Sequence, residues 1–235
     1  MKIMTNGRWL LVTAVALLCM APCALAQQTG LELTGVNGNN YADIYIGPYD
    51  IQVGGPSGST YGMICDDFND TINIGRHWQA NPVSVSASTL SQTLFGSQPG
   101  ALLGYEEAAA LSFAILFNTQ GASNNALMQY AIWAIFSPGT VQTWLQAHDS
   151  SYSSDWATIQ SWIAWAKNNG SQSLLSEFIV WTPTNCQAGG CMGQEFFQYV
   201  PEGGAALLYL LLAGASCFGA MFFHSRNRVS RPRSA

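Results

Sequence analysis

Tyr105-Glu-Glu-Ala-Ala-Ala-Leu-Ser-Phe-Ala-Ile-Leu-Phe117 is an alanine-rich run set in a chain whose flanks read as strands. Its composition predicts a helix over 105–117, with Glu106 and Glu107 in the first turn, where they favour the helix dipole. Gly121 breaks it. Ser123 is placed to cap a second helix over 124–136, which stops before Ser137-Pro138-Gly139. A third run, 155–167, carries Trp156, Ile159, Trp162, Ile163 and Trp165 at helical spacing and ends at Asn169-Gly170.

Upstream of these helices the pattern has period two. Tyr41–Ile46 alternates, Gly47-Pro48 turns, and Tyr49–Val53 alternates again, which predicts a hairpin. A Gly-Pro-Ser-Gly loop leads to a third strand over 59–68, and Val and Ser alternate over 82–89 as a fourth. Downstream, Glu177–Trp181 and Glu195–Tyr199 read as a terminal hairpin around a Cys186–Cys191 loop. No internal repeat is evident. The order strand, helix, strand predicts an α+β domain: a β-sandwich or barrel-like sheet with an inserted helical subdomain.

The two ends read differently. Lys2 and Arg8 precede an apolar run, Trp9–Met20, followed by Ala24-Leu25-Ala26. This is a signal-peptide pattern, and cleavage is expected after Ala26. Cys23 invites a lipoprotein reading, which Pro22 directly before it disfavours. At the other end, residues 205–223 carry no charge and are long enough to span a bilayer as a helix. A basic tail, 224–235, contains Arg226, Arg228, Arg231 and Arg233 and is expected to stay cytoplasmic. The expected organisation is a signal peptide at 1–26, an exported domain at 27–199 and a C-terminal segment at 200–235.

Val200-Pro201-Glu202-Gly203, the apolar helix and the Arg-rich end together resemble the PEP-CTERM sorting signal of Gram-negative bacteria. Gly203 stands where that signal usually has a second proline. The resemblance implies recognition, and cutting near the motif, by an exosortase-type transpeptidase. The chain is then held at the membrane by the C-terminal helix, or released to the cell surface or extracellular matrix once the tail is cut. An ordinary single-pass anchor is the plainer alternative.

Between residues 27 and 200 the basic residues are Arg76 and Lys167 against twelve Asp and Glu, a net charge of −10. Phosphate binding needs Lys and Arg, so nucleic acid is excluded as a partner. About 175 residues suffice for one core or two small subdomains. The exported part keeps three cysteines, Cys65, Cys186 and Cys191. A disulfide between Cys186 and Cys191 is expected in an oxidising compartment. A metal clip at that pair lacks further ligands at suitable spacing. Cys65 is left over.

Cys65 lies in Tyr61-Gly-Met-Ile-Cys65-Asp-Asp-Phe68, and Gln129 in Ala126-Leu-Met-Gln129-Tyr-Ala-Ile-Trp133. A thiol can attack a glutamine carboxamide, release ammonia and leave an intramolecular thioester. That chemistry needs an apolar, water-poor site, which a buried strand and an aromatic-rich helix would supply. Gln129, Trp133 and Phe136 share one helix face. An amine then attacks the stored acyl group and stays attached as an amide.

These two segments resemble the thioester domains of bacterial surface adhesins, which pair a cysteine in a short strand motif with a glutamine in a Gln-x-Ala-Ile-Trp-like helix. Met63-Ile64-Cys65-Asp66 and Gln129-Tyr130-Ala131-Ile132-Trp133 occupy those positions. Those domains are best known on Gram-positive surfaces, and this one is small for the family. The resemblance implies Cys65 and Gln129 as the bonded pair, with Tyr61, Asp66, Tyr130 and Trp133 lining the site. It implies adhesion to amine-bearing partners by attachment rather than turnover, with no cofactor.

Blander readings stand beside it. A lone cysteine is often a small buried hydrophobe, and the chain is alternatively a structural protein of the envelope or exopolysaccharide layer. Asp66, Asp67 and Asp70 could offer oxygens to Ca²⁺, without EF-hand spacing. Glu106 and Glu107 are adjacent and point to different helix sides, which does not suit a glycosidase pair. A hydrolase pairing Cys65 with His77 or His148 has no supporting motif. Trp156, Trp162 and Trp165 are either sugar-stacking or core.

Overall fold

The computed structural model describes residues 28–36, 40–184, 186–187, 190–191 and 193–200. The signal-peptide, membrane-helix and basic-tail expectations fall outside these residues, as do Pro201 and Glu202. Among the described residues no helix is long and apolar enough to cross a membrane.

Among the described residues there are ten strands: β1 (Thr29–Val36), β2 (Asn40–Tyr41), β3 (Ile44–Tyr45), β4 (Tyr49–Val53), β5 (Ser59–Cys65), β6 (His77–Val83), β7 (Phe178–Pro183), β8 (Cys186–Gln187), β9 (Gly190–Cys191) and β10 (Phe196–Tyr199). Six of them close into an antiparallel barrel in the order β1-β4-β5-β10-β7-β6. The helices are α1 (Ala101–Leu116), α2 (Asn125–Phe136), α3 (Pro138–His148), α4 (Tyr152–Asn169) and the single turn α5 (Gln172–Leu175). All five lie between β6 and β7 in the chain. The α+β class, the barrel-like sheet and the helical insertion are therefore all present.

Alternation along the strands makes two cores, because successive side chains leave opposite faces. Leu31, Leu33, Ile51, Met63, Cys65, Trp78 and Phe196 fill the barrel. Ile64, Val180, Phe178 and Phe197 face the other way and pack under the helices. Helices α1 and α2 both contact the barrel, and α2 also packs against α1, α3 and α4. All seven residues from Met128 to Ala134 are buried, as expected for a helix apolar on every side.

Several boundaries differ from the sequence reading. Residues 41–46 form no six-residue strand. Ala42 and Asp43 both take positive φ (46° and 63°), the requirement of a tight hairpin turn, and this splits the segment into β2 and β3. The fourth strand sits earlier, at 77–83, and residues 84–89 turn into a short 3-10 segment. The first helix begins at Ala101, so Glu106 and Glu107 are not in its first turn. Ser123 lies in a 3-10 turn and does not cap α2. Pro138, taken as a stop, is the first residue of α3, where its missing N–H costs nothing. Strand β1 was not anticipated, although Leu31 and Leu33 alternate with Glu32 and Thr34.

Candidate functional site

Cys65 is the last residue of β5, between β4 and β10, with Phe196 opposite it. Its side chain is fully buried at the end of the barrel. Gln129, also fully buried, comes from the barrel-facing side of α2. The two meet directly: Gln129 Nε2 donates to the main-chain oxygen of Cys65 at 2.6 Å. Gln129 Oε1 is buried and has no hydrogen-bond partner. Gly47 makes room for the carboxamide. A Cβ there would stand 2.8 Å from Oε1 and 3.2 Å from Ile64 and Tyr49.

The thiol has polar neighbours of its own. Cys65 Sγ donates to the main-chain oxygen of Asp67 at 3.2 Å. Burial pushes the Cys65 thiol well up, and the Asp67 and Asp66 carboxylates push it further. The Asp67 main chain and the Trp133 indole work in the opposite direction. Trp133 Nε1 is buried and forms no hydrogen bond of normal geometry. Cys65 is thus a neutral thiol at pH 7. That disfavours the cysteine-hydrolase reading, which needs a lowered thiol pKa. The histidines lie elsewhere: His77 is exposed beside Glu32, and His148 stacks on Trp144.

The residues expected to line the site divide into three groups. Trp133 stands at the thiol. Tyr130 packs edge-on against Trp133 at 5.0 Å and donates to the Tyr41 main-chain oxygen. Asp66 points to the opposite face of β5 from Cys65. There it meets Glu195, which accepts hydrogen bonds from Tyr105, Thr182 and the Leu94 amide. Tyr61 does not belong to the site: it is 41% exposed and four residues, about 13 Å, along the strand. Phe136, on the same helix face by spacing, stacks on Phe95 instead.

Gly47, Tyr49 and Gln194 escaped the sequence reading of the site, and Asp67 stands in that reading only as an oxygen donor for Ca²⁺. Tyr49 is buried, and Cys65 contributes to raising its pKa. Gln194 Nε2 donates to the Asp67 main-chain oxygen at 2.9 Å and also to that of Asp70. A cavity of about 180 Å³ opens beside this group. Its floor includes buried Tyr49, Asp67 and Trp133, and its mouth includes exposed Tyr45, Thr71 and Asn73.

The remaining candidates resolve simply. Among the described residues no group of three His, Cys, Asp or Glu is arranged to hold a metal ion. Trp156, Trp162 and Trp165 pack half-buried against the helical core. Cys186 and Cys191 face each other in the β8–β9 backbone register. Their side chains lie outside the description, as does most of the sorting motif. Val200 is exposed just past β10, and its amide donates to the Glu177 main-chain oxygen at 2.7 Å. Comparison with known protein families, with curated proteins and with solved structures finds no match to this chain.

Proposed function

We propose that this is an exported cell-surface protein that attaches covalently to amine-bearing partners through a thioester between Cys65 Sγ and Gln129 Cδ. The observation that carries the reading is the hydrogen bond from Gln129 Nε2 to the Cys65 main chain, with both side chains fully buried. It holds the carboxamide against the cysteine in advance of reaction, the proximity such a step requires. The thiol adds to Cδ, the C–N bond breaks, and the sulfur proton leaves with Nε2 as ammonia. Because Cys65 is a neutral thiol, it brings that proton with it. An attacking amine later breaks the C–S bond, leaving an amide on Gln129 and a free thiol on Cys65.

The remaining parts fit attachment. A signal peptide would export the domain, and a PEP-CTERM-like tail read by an exosortase-type enzyme would place it at the envelope, the cell surface or the matrix. A Cys186–Cys191 disulfide would close the β8–β9 hairpin, whose register sets the two residues opposite each other.

Intact mass of the purified ectodomain, with and without methylamine, tests the reading. The expected result is a mass short by one ammonia, restored as a methylamine adduct on Gln129, with both effects abolished in Cys65→Ala. A full mass with Cys65 freely alkylable after unfolding overturns it. Cysteine counting without reductant should then find Cys186 and Cys191 protected.

A further inference from the structure

The cavity beside Cys65 is acidic. Asp43, from the β2–β3 turn, lines it together with Asp67 and Asp70, and no Lys, Arg or His does so. Asp67 is fully buried. Its Oδ1 accepts from the Asn69 amide at 2.9 Å, but its Oδ2 has no partner. An unpartnered carboxylate oxygen at the floor of a cavity open to solvent suits a cationic guest. Asp67 is also the carboxylate that acts most strongly on the Cys65 thiol. Cys65 Sγ donates to the Asp67 main-chain oxygen at 3.2 Å, so the sulfur lies directly behind the residue that floors the cavity.

We infer that this cavity receives the attacking amine as its ammonium ion and that Asp67 Oδ2 takes the proton the ammonium must lose before it can attack. The inference rests on the thioester reading above. Protonated amines have no lone pair, so a buried acyl group needs both a cation site and a proton acceptor. Asp67 takes the first proton. The neutral nitrogen then bonds to Gln129 Cδ, and the C–S bond breaks. The second nitrogen proton passes to Cys65 Sγ, leaving an amide and a thiol, and Asp67 releases its proton to solvent through the cavity mouth. The Trp133 indole N–H favours the departing thiolate. The ligand class is a primary ammonium on a flexible stem, such as a lysine side chain, rather than a hydroxyl or a carboxylate.

Burial pushes the Asp67 carboxyl up to about 7; the Asn69 and Asp70 amides restrain it, and the Asp70 and Glu195 carboxylates push it further. Asp43, Tyr45, Tyr49, Cys65 and Asp66 are the other titratable groups around it. Asp67 would therefore exchange a proton near neutral pH, the range suited to a general base.

The test is the rate of methylamine addition to the ectodomain, followed by intact mass from about pH 5 to about pH 9 and corrected for the ammonium fraction, which is nearly all of the amine over this range. With Asp67 as base, the corrected rate in the wild-type protein rises through about pH 7 and then levels. In Asp67→Asn the ammonia deficit persists, the rate near pH 7 falls about 100-fold, and it climbs with the free-amine fraction over the whole range without levelling. A wild-type rate that climbs in proportion to free amine up to about pH 9 without levelling overturns the inference, as does Asp67→Asn reacting at the wild-type rate. The wild-type profile decides the matter even if the variant fails to form the thioester. A wild-type chain of full mass overturns the thioester itself, a separate outcome seen before any rate is measured.

Discussion

Asp66 and Glu195 face each other in a fully buried site, and no cation acts on either one. Burial and the neighbouring Glu195 hold the Asp66 carboxyl well above the usual range. Neither Asp66 oxygen receives a hydrogen bond, whereas Glu195 accepts three. The asymmetry favours the proton on Asp66: its carboxyl lacks donors that would hold it as an anion, whereas Glu195 has three. The pair ties the strand that ends in Cys65 to β10 and, through Tyr105, to α1.

Asp66→Asn should therefore be tolerated, because an amide N–H can replace the carboxyl O–H. Glu195→Gln should not be, since it replaces one acceptor oxygen with a donor facing hydroxyls and an amide. We expect a loss of about 3 kcal/mol for Glu195→Gln and under about 1 kcal/mol for Asp66→Asn in urea unfolding. A larger loss for Asp66→Asn than for Glu195→Gln would mean that the protonation assignment is reversed.

Stability should fall as pH rises. Asp67 titrates near 7 in the folded chain, against about 3.9 when unfolded. Between those values the folded state holds more protons than the unfolded state, so each step up in pH favours unfolding. Asp66 and Glu195 are raised as well and act in the same direction. The urea midpoint at about pH 5 should exceed that at about pH 8. A midpoint that climbs over this range would show that the carboxyls are stabilised as anions.

Gly47→Ala places a methyl 2.8 Å from Gln129 Oε1, with Ile64 and Tyr49 blocking retreat. The carboxamide must shift. The expected cost is about 1–3 kcal/mol, with slowed or incomplete loss of ammonia by mass. Full ammonia loss at the wild-type rate would show that the carboxamide position is not critical.

Trp133→Phe keeps an aromatic ring over Phe68 and Tyr130 but removes the indole N–H near the sulfur. The ammonia deficit should persist while methylamine addition slows about 100-fold, the scale for losing one hydrogen-bond donor at a charge that develops during reaction. An unchanged rate would assign Trp133 to packing alone.

The legible parts of this protein are those that local physics dictates. Period-two alternation at Tyr49–Val53 and the alanine-rich run near Tyr105 declared a strand and a helix. The leftover Cys65 and the Gln129-Tyr-Ala-Ile-Trp133 segment drew attention by chemistry and spacing. Where the turn at Ala42-Asp43 split a strand, or where Pro138 began a helix, the same residues allowed two local outcomes, and packing chose between them.

Tertiary structure alone decided the rest. Closing the barrel placed Glu195 opposite Asp66, residues 129 positions apart in the chain. The cavity came from bringing the β2–β3 turn, the segment after β5 and helix α2 to one point. In the sequence Asp67 was one of three neighbouring acids with oxygens to offer to Ca²⁺. Its burial, and with it its altered proton affinity, arises because desolvation depends on what the whole chain folds over it, which no local pattern encodes.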